Sequence, residues 1–282
     1  MKPVDGPLAP PGAAVARVLA WRGGRAQAGD DCLVEEVPVA LVLNGVSHAV
    51  MLATPLDLED FALGFGLSEG LLAHAGELYG VEVVPGPAGL RVEMDVASAC
   101  FARLKERRRS LAGRTGCGLC GTESLEQVRL PLPPLVAGAE SGPRIEPQAV
   151  AHALTQLREA QALQHATGAV HAAAWCSLSG EARIVREDVG RHNALDKTLG
   201  AMVRGGVDPG QGFLVVTSRA SFEMVQKAVM ARVYLLAAVS APTVLAVQTA
   251  QQAGLTLLGF ARDRDFVAYS HPERLGLAWA ER

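Results

Sequence analysis

Gly212-Phe-Leu-Val-Val-Thr-Ser-Arg-Ala-Ser-Phe-Glu-Met-Val-Gln-Lys227 is the stretch that decides the fold. Its first half is a short apolar run bounded by Gly212 and Ser218, which predicts a buried strand over Phe213 to Thr217. Its second half opens a stripe of Phe222, Val225, Val229, Val233 and Leu236 at helical spacing, which predicts a helix from Ser221 to Ala238 with that stripe in the core. The alternation continues on both sides. Upstream it predicts a helix over Gln148 to Gln164, a strand over Ala169 to Ser177, a turn at Ser179-Gly180, a strand over Arg183 to Glu187 and a helix over Asn193 to Arg204. Downstream it predicts a strand over Thr243 to Val247, a short helix at Thr249 to Ala253, and strands around Leu257 to Phe260 and Phe266 to Tyr269. Strands and helices in alternation make an α/β layered sheet.

The N-terminal part reads as smaller and richer in β-structure. Val37 to Leu43, the turn Asn44-Gly45 and Val46 to Leu52 form a hairpin pattern, because Asn-Gly supplies the positive φ angles of a two-residue loop. Asp57 then opens an apolar helix ending near Gly70, and Val81 to Val84 and Leu90 to Met94 are strand candidates. Residues 131 to 147 hold five prolines and read as a linker. The expected organisation is therefore a loose tail over 1–14, an N-terminal part over 15–130, the linker, and an α/β domain over 148–282.

A net charge of -3 argues against a general nucleic-acid binder, which carries a basic excess to displace counterions. Met1 to Gly12 lacks the apolar centre of a secretory signal, and Val233 to Val247 falls short of a membrane span. A cytoplasmic protein is expected, with Val233 to Val247 the end of a buried helix followed by a buried strand. Five cysteines, unevenly placed, are too few for a disulfide scaffold, so the close pair Cys117 and Cys120 points to thiol chemistry or metal.

Those thiols lie in Gly113-Arg-Thr-Gly-Cys-Gly-Leu-Cys-Gly121. The formal G-x-G-x-x-G of Gly116, Gly118 and Gly121 is not a dinucleotide fingerprint, because basic and polar residues precede it instead of a strand. One C-x-x-C supplies half of a closed zinc site and no second pair exists, so no metal is expected. A dithiol oxidoreductase would place the pair at the start of a helix, whereas glycines flanking both cysteines favour a mobile loop. A sulfur carrier needs such a loop, since its thiolate must attack a donor persulfide and then present the terminal sulfur to an acceptor. Arg103, Lys105, Arg107, Arg108, Arg109 and Arg114 would favour the thiolate if near it, or form an ordinary solvated basic helix face.

Two further constellations sit at strand-to-helix junctions. Thr217, Ser218 and Arg219 could offer backbone N–H groups to an anion, or could be an ordinary capped turn. Asp188, Arg191, His192, Asn193 and Asp196 form the other, with His192 and Asp196 four apart and hence on one helix face, either as a ligand or proton-shuttling site or as a surface pair. His171, inside an apolar strand, is expected to be a hydrogen-bonded core histidine.

Taken with the cysteine loop, four stretches carry a family resemblance: Leu43-Asn-Gly-Val through Met51-Leu-Ala-Thr-Pro55 with Gly64-Phe-Gly-Leu-Ser-Glu-Gly70; Glu187-Asp-Val-Gly-Arg-His-Asn-Ala-Leu-Asp-Lys197; Thr217-Ser-Arg-Ala-Ser-Phe-Glu-Met-Val-Gln-Lys227; and Gly259-Phe-Ala-Arg-Asp-Arg-Asp-Phe266. In this order they resemble the FdhD family of formate dehydrogenase accessory proteins, over nearly the whole chain outside tail and linker. The resemblance implies a cytidine-deaminase-like fold and a sulfur carrier between a cysteine desulfurase and the molybdenum cofactor Mo-bis(molybdopterin guanine dinucleotide). It implies Cys117 as the persulfide-bearing residue, Cys120 as its partner, formate dehydrogenase as the client, and a homodimer. Deaminase chemistry is not implied, because it needs H-x-E and P-C-x-x-C, whereas Ala172 and Ala173 follow His171 and Gly116 precedes Cys117.

By the same resemblance the cofactor falls on Phe260, Ala261, Arg262, Asp263, Arg264 and Asp265. Arg262 and Arg264 would pair with the pyrophosphate, Asp263 or Asp265 would accept from the guanine edge, and Phe260 would stack or pack. GDP should then serve as a fragment ligand. Asp263 departs from the glycine expected there. A cofactor-binding chaperone that moves no sulfur and a dithiol oxidoreductase are the competing readings.

Overall fold

The chain is described by a computed structural model over residues 9–109, 132–135 and 142–279, with backbone alone for 104–109. Near its start Gly23 and Gly24, at φ 56° and 80°, turn β1 (Ala13–Arg22) back onto β2 (Arg25–Val34). The two pair antiparallel from Ala13↔Val34 to Arg22↔Arg25 and join no other sheet. This ribbon begins inside the expected tail.

The expected Asn44-Gly45 hairpin is present. Asn44 and Gly45 take φ 46° and 78°, joining β3 (Val37–Leu43) to β4 (Val46–Ala53). With β5 (Leu78–Gly86) and β6 (Gly89–Val96) they form a four-stranded sheet of order β4-β3-β6-β5. Val39, Leu41 and Leu43 alternate onto one face and meet Phe61 and Ala62 of α1 (Leu58–Ser68). That makes a first core, closed by Cys100 of α2 (Ser98–Arg109).

The second sheet has six strands, ordered β12-β11-β10-β9-β7-β8. They are β7 (His171–Ser177), β8 (Ala182–Asp188), β9 (Gly212–Val216), β10 (Leu235–Ala238), β11 (Thr256–Arg262) and β12 (Asp265–Ser270). Of its neighbouring pairs, β9–β10 and β10–β11 are parallel and the rest antiparallel. Side chains alternate between the two faces. Phe213 and Val215 join a core with α3 (Pro147–Ala160), whereas Leu214 and Val216 join one with α5 (Arg191–Arg204), α6 (Phe222–Met230) and α7 (Val244–Ala253). Both faces are covered, which is why β9 reads as a continuous apolar run. A short α4 (Ala162–Thr167) completes the helices named here and packs against β2.

Two expectations are corrected. The helix expected over Ser221 to Ala238 is α6 followed by β10, since Arg232 adopts φ 60° and Val233 N–H returns to Ala228 O to end the helix. The apolar stripe had continued across that boundary because the strand is buried on both faces. The strand expected over Thr243 to Val247 is instead the start of α7, where Thr243 Oγ1 accepts from Ala246 N–H at 3.2 Å as an N-cap. Between the two halves, Leu135 and Ile145 are buried and bonded to Ala253 O and Arg274 O respectively. No helix among the described residues is long and apolar enough to cross a membrane.

The halves meet where α1 crosses α5. A Cβ on Gly64 would lie 1.8 Å from Asp196 O, and one on Gly200 1.9 Å from Asp60 O, so only glycine permits this approach. Around the crossing lies a polar seam. Lys197 Nζ, fully buried, bonds Asp188 at 2.6 Å and Thr54 O at 3.0 Å, while Asp188 also accepts from Thr54 N–H and Asn193 Nδ2. Asp60 takes Arg186 and Arg204 at 2.7 Å each.

Candidate functional site

The parallel strands β9, β10 and β11 end together, and their loops are stitched into one rim. Val239 N–H donates to Val216 O, Ser240 N–H to Ser218 O, Thr243 N–H to Ala220 O and Phe260 N–H to Ser240 O. The carboxyl edge of parallel strands is where open α/β sheets bind ligands, because successive loops splay apart and helix N-termini point inward. Two of the expected stretches, Thr217 to Arg219 and Phe260 to Asp265, meet here.

At the first stretch, Thr217 Oγ1 accepts from Ala172 N–H at 2.9 Å and stands 3.5 Å from His171 Nδ1. Burial pushes the His171 imidazole below its ordinary pKa, with Arg191 and His192 adding to that. Ser221 takes the N-cap place of α6, yet its hydroxyl turns to Glu223 at 3.3 Å and caps no backbone N–H. The ordinary capped turn therefore is not what the geometry shows. Glu223 in that first turn pairs with His192 Nε2 at 2.9 Å, and this bond holds its carboxyl below the usual range against the opposing effect of burial. Beside it, Arg191 Nε is buried with no hydrogen-bond partner among the described residues.

The surface His192–Asp196 pair, one of the two readings of this constellation, is thus not formed. Each turns to another helix: His192 to Glu223 at the start of α6, and Asp196 into the space between α1 and the end of α6. There Asp196 accepts from Ser68 Oγ at 2.7 Å and Lys227 Nζ at 3.0 Å. Lys227 also holds Glu69 at 2.6 Å, and although burial pulls its ammonium down, the two carboxylates outweigh it and raise its pKa. This cluster belongs to the seam.

At the second stretch the chain makes a tight hairpin between β11 and β12, pairing Arg262 with Asp265. Phe260 stands out at φ 51° and is 45% exposed, while Ala261 turns inward and is fully buried. Arg262 Nε donates to Val239 O at 3.1 Å, anchoring its guanidinium at the rim. Asp263 takes φ 52°, the left-handed region that favours glycine, and its carboxylate is held by Arg158 of α3 at 3.2 Å. Of the two carboxylates, Asp265 is the one whose neighbour across the hairpin is Arg262.

Cys117 and Cys120 lie outside the described residues. Of the other thiols, burial raises that of Cys176 to about 12, and burial raises that of Cys100, whose Sγ also donates to Leu71 O. Neither has the thiolate character of a nucleophile. The residues flanking segment 110–131 are rooted at the opposite edge of the sheet from the rim. Arg103 of α2 lines a cavity of about 410 Å³ with Val207 and Arg232, which precede β9 and β10, and Leu135 is bonded at the end of α7. Among the described residues no group of His, Cys, Asp and Glu forms a metal cluster.

The molecule is thus a layered α/β protein with a polar, arginine-bearing rim at the carboxyl edge of its parallel strands. It belongs to the FdhD/NarQ family, whose model matches residues 34–276. It is 60% identical over 271 residues to the sulfur carrier protein FdhD of Variovorax paradoxus, covering 96% of each chain. It is 54% identical to that of Cupriavidus necator, covering 96% of this chain and 92% of the relative. The fold is shared with a protein from Desulfotalea psychrophila that carries a proposed assignment as a formate dehydrogenase accessory protein. The TM-score is 0.74 at 23% identity, over 94% of this chain and all of that one.

Proposed function

We propose that this chain is a sulfur carrier. Cys117 accepts sulfur from a cysteine desulfurase as a persulfide and passes it to Mo-bis(molybdopterin guanine dinucleotide) destined for formate dehydrogenase. The observation that carries this reading is near-full-length similarity to sulfur carrier proteins in a chain whose close thiol pair is Cys117 and Cys120. In the loading step the Cys117 thiolate attacks the terminal sulfur of the donor persulfide. The donor S–S bond breaks, the donor thiolate leaves, and a new S–S bond forms at Cys117. Cys120 is the adjacent thiol that can act in the release step.

The cofactor is cargo, and the rim suits its nucleotide end. Arg262 and Arg264 supply planar forks for phosphate, Asp265 an acceptor for the guanine edge, and Phe260 an exposed ring for stacking. Thr217, Ser218, Arg219 and His192 extend the same rim. Partners called for by this role are the desulfurase, the dehydrogenase and a second copy of this chain, in the cytoplasm.

The test is transfer of labelled sulfur from cysteine through a desulfurase. Wild type should take up label, folded Cys117→Ala should take up none, and Cys120→Ala should lose activity to a lesser or equal extent than Cys117→Ala. Normal uptake by Cys117→Ala would remove the carrier assignment. Cofactor binding without any labelling of the wild type would instead make the protein a binding chaperone.

A further inference from the structure

We propose that Arg191, with His171 and His192 around it, forms a phosphate-binding subsite on the rim, separate from the β11–β12 hairpin. The inference deepens the reading of the rim as a cargo site and rests on that reading only for where the phosphate comes from.

The side chains that meet here come from three elements. His171 opens β7, lies in register with Asp188 at the end of β8, and stands 3.5 Å from Thr217 Oγ1 at the end of β9. Arg191 and His192 open α5, and Glu223 faces them from the first turn of α6. Arg191 and His192 both act on the His171 imidazole, and Arg191 acts on the Glu223 carboxyl, so the four groups lie within reach of one another's charge.

Positive charge is in excess at this spot. Glu223 Oε2 is taken by His192 at 2.9 Å and by the Ser221 hydroxyl at 3.3 Å. Asp188 is taken by Lys197, Asn193 and the Gly190 N–H. Among the described residues Arg191 is left without an ion pair, and its Nε is buried with no hydrogen-bond partner, although the residue as a whole is half-buried. A charged donor kept from water and left unmade is costly, and an anion placed against it removes that cost. The first-turn N–H groups of α5 and α6 add donors, since no side chain caps either helix. A doubly charged group with several oxygens suits a planar guanidinium fork flanked by imidazoles, and phosphate is the common group of that kind.

The hairpin cannot share this phosphate. Arg262 reaches only as far as Val239 O at the end of β10, and β9 lies between β10 and β7. Two strand spacings, about 10 Å, therefore separate that anchor from His171, more than one pyrophosphate bridges. A nucleotide on the hairpin and a phosphate at Arg191 should bind together.

The test is titration of the full chain with inorganic phosphate near pH 6.5, where imidazoles change charge, followed by the histidine ring-proton resonances. In the wild type the His171 and His192 signals should shift saturably, and both imidazoles should keep their protons to higher pH once phosphate is bound, because a neighbouring anion favours the charged form. Arg191→Gln should weaken phosphate at least about tenfold, the loss of a charge-assisted pair, and Arg191→Lys should recover part of it. Glu223→Gln should tighten it by removing an opposing charge. Saturating GDP should leave phosphate affinity unchanged. Far-ultraviolet circular dichroism of each variant controls for folding. No saturable shift up to about 10 mM phosphate, tenfold above a weak millimolar site, would overturn the subsite. So would shifts that persist unchanged in folded Arg191→Gln. Displacement of phosphate by GDP would give the cluster to the nucleotide's own phosphates and overturn its separateness. Phosphate bound at Arg191 by a chain that takes up no labelled sulfur would support the subsite while the carrier reading fell.

Discussion

Asp263 holds a left-handed backbone conformation in the rim hairpin, which costs a non-glycine residue about 1–2 kcal/mol, less for aspartate than for most. What it gains is an exposed pair with Arg158, worth about 0–1 kcal/mol. Asp263→Gly should therefore leave stability unchanged or raise it by up to about 1 kcal/mol, whereas Asp263→Val should lower it by about 1–2 kcal/mol, read by urea denaturation. A second residue prediction concerns Glu223, whose folded pKa is depressed by His192. A depressed carboxyl contributes stability that is present above its ordinary value of 4.5 and lost as pH falls through the folded value. Glu223→Gln should accordingly melt below wild type at pH 6, and the gap should close as pH falls below about 4.5. A gap independent of pH would mean that the pair acts through shape alone. Such residues also show how far the site was legible. Thr217 to Arg219 announced itself as a strand-to-helix junction, and the charge pattern of Arg262 to Asp265 was plain. The partner of His192 was not, because helical spacing says that His192 and Asp196 share a face and says nothing of which neighbour covers each. Glu223 lies 31 residues away, beyond any local signal.

Among the elements, the crossing of α1 and α5 depends on two missing side chains. Gly200→Ala would drive its Cβ to 1.9 Å from Asp60 O, an obstacle made of helix backbone that cannot swing aside. The helices must separate, so Gly200→Ala and Gly64→Ala should each cost about 2–3 kcal/mol, although alanine has the better helix propensity. A thermal melt equal to wild type would show that the crossing has slack. Neither glycine marks itself in the sequence as a contact, since both sit within helices that tolerate them. What the sequence did disclose were elements with a local cause: the Asn44-Gly45 turn, the strands flanking it, and β9 with its continuous apolar run. Where two structures share one pattern, it failed. Leu235 to Ala238 is apolar enough to extend the stripe of α6 or to be a strand buried on both faces, and only the turn at Arg232 decides. Thr243 to Val247 continues the alternation as a short apolar strand, while the Thr243 cap that starts α7 is the signal that carries weight. The β1–β2 ribbon has a hairpin turn in Gly23-Gly24, yet Arg25 to Asp31 holds no apolar run or alternation to mark a strand.

Across the whole molecule, the seam binds the N-terminal sheet to the α/β layers, with the rim at one edge of the parallel strands and the described residues Arg103 and Leu135 at the other. Lys197 and Asp188 are both fully buried, and removing one partner leaves the other charged in a dry site, a loss of about 3–5 kcal/mol. Lys197→Ala should therefore lower the stability of both halves together. Two separate transitions, seen by tryptophan fluorescence and circular dichroism, would show that the seam does not couple them. With the frame this rigid, the two chemical tasks should separate under mutation. Under the proposed function nucleotide binding would draw on Arg262, anchored to Val239 O, and on Arg264 beside it, and loading would draw on Cys117. GDP should bind to the wild type and bind more weakly as salt rises, because phosphate pairing with exposed guanidinium groups is screened. Arg262→Glu/Arg264→Glu should weaken that binding at least about tenfold, the loss of a charge-assisted pair, while labelled sulfur still reaches Cys117 at the wild-type rate. Cys117→Ala should give the mirror result, with GDP affinity intact and loading abolished. If the folded double-arginine variant binds GDP normally, the nucleotide sits elsewhere, and the Thr217 to Arg219 junction with the unpartnered Nε of Arg191 is the next place to probe. If instead that variant loses both activities, donor and nucleotide share one surface, and the separation between the edges of the sheet has no functional counterpart.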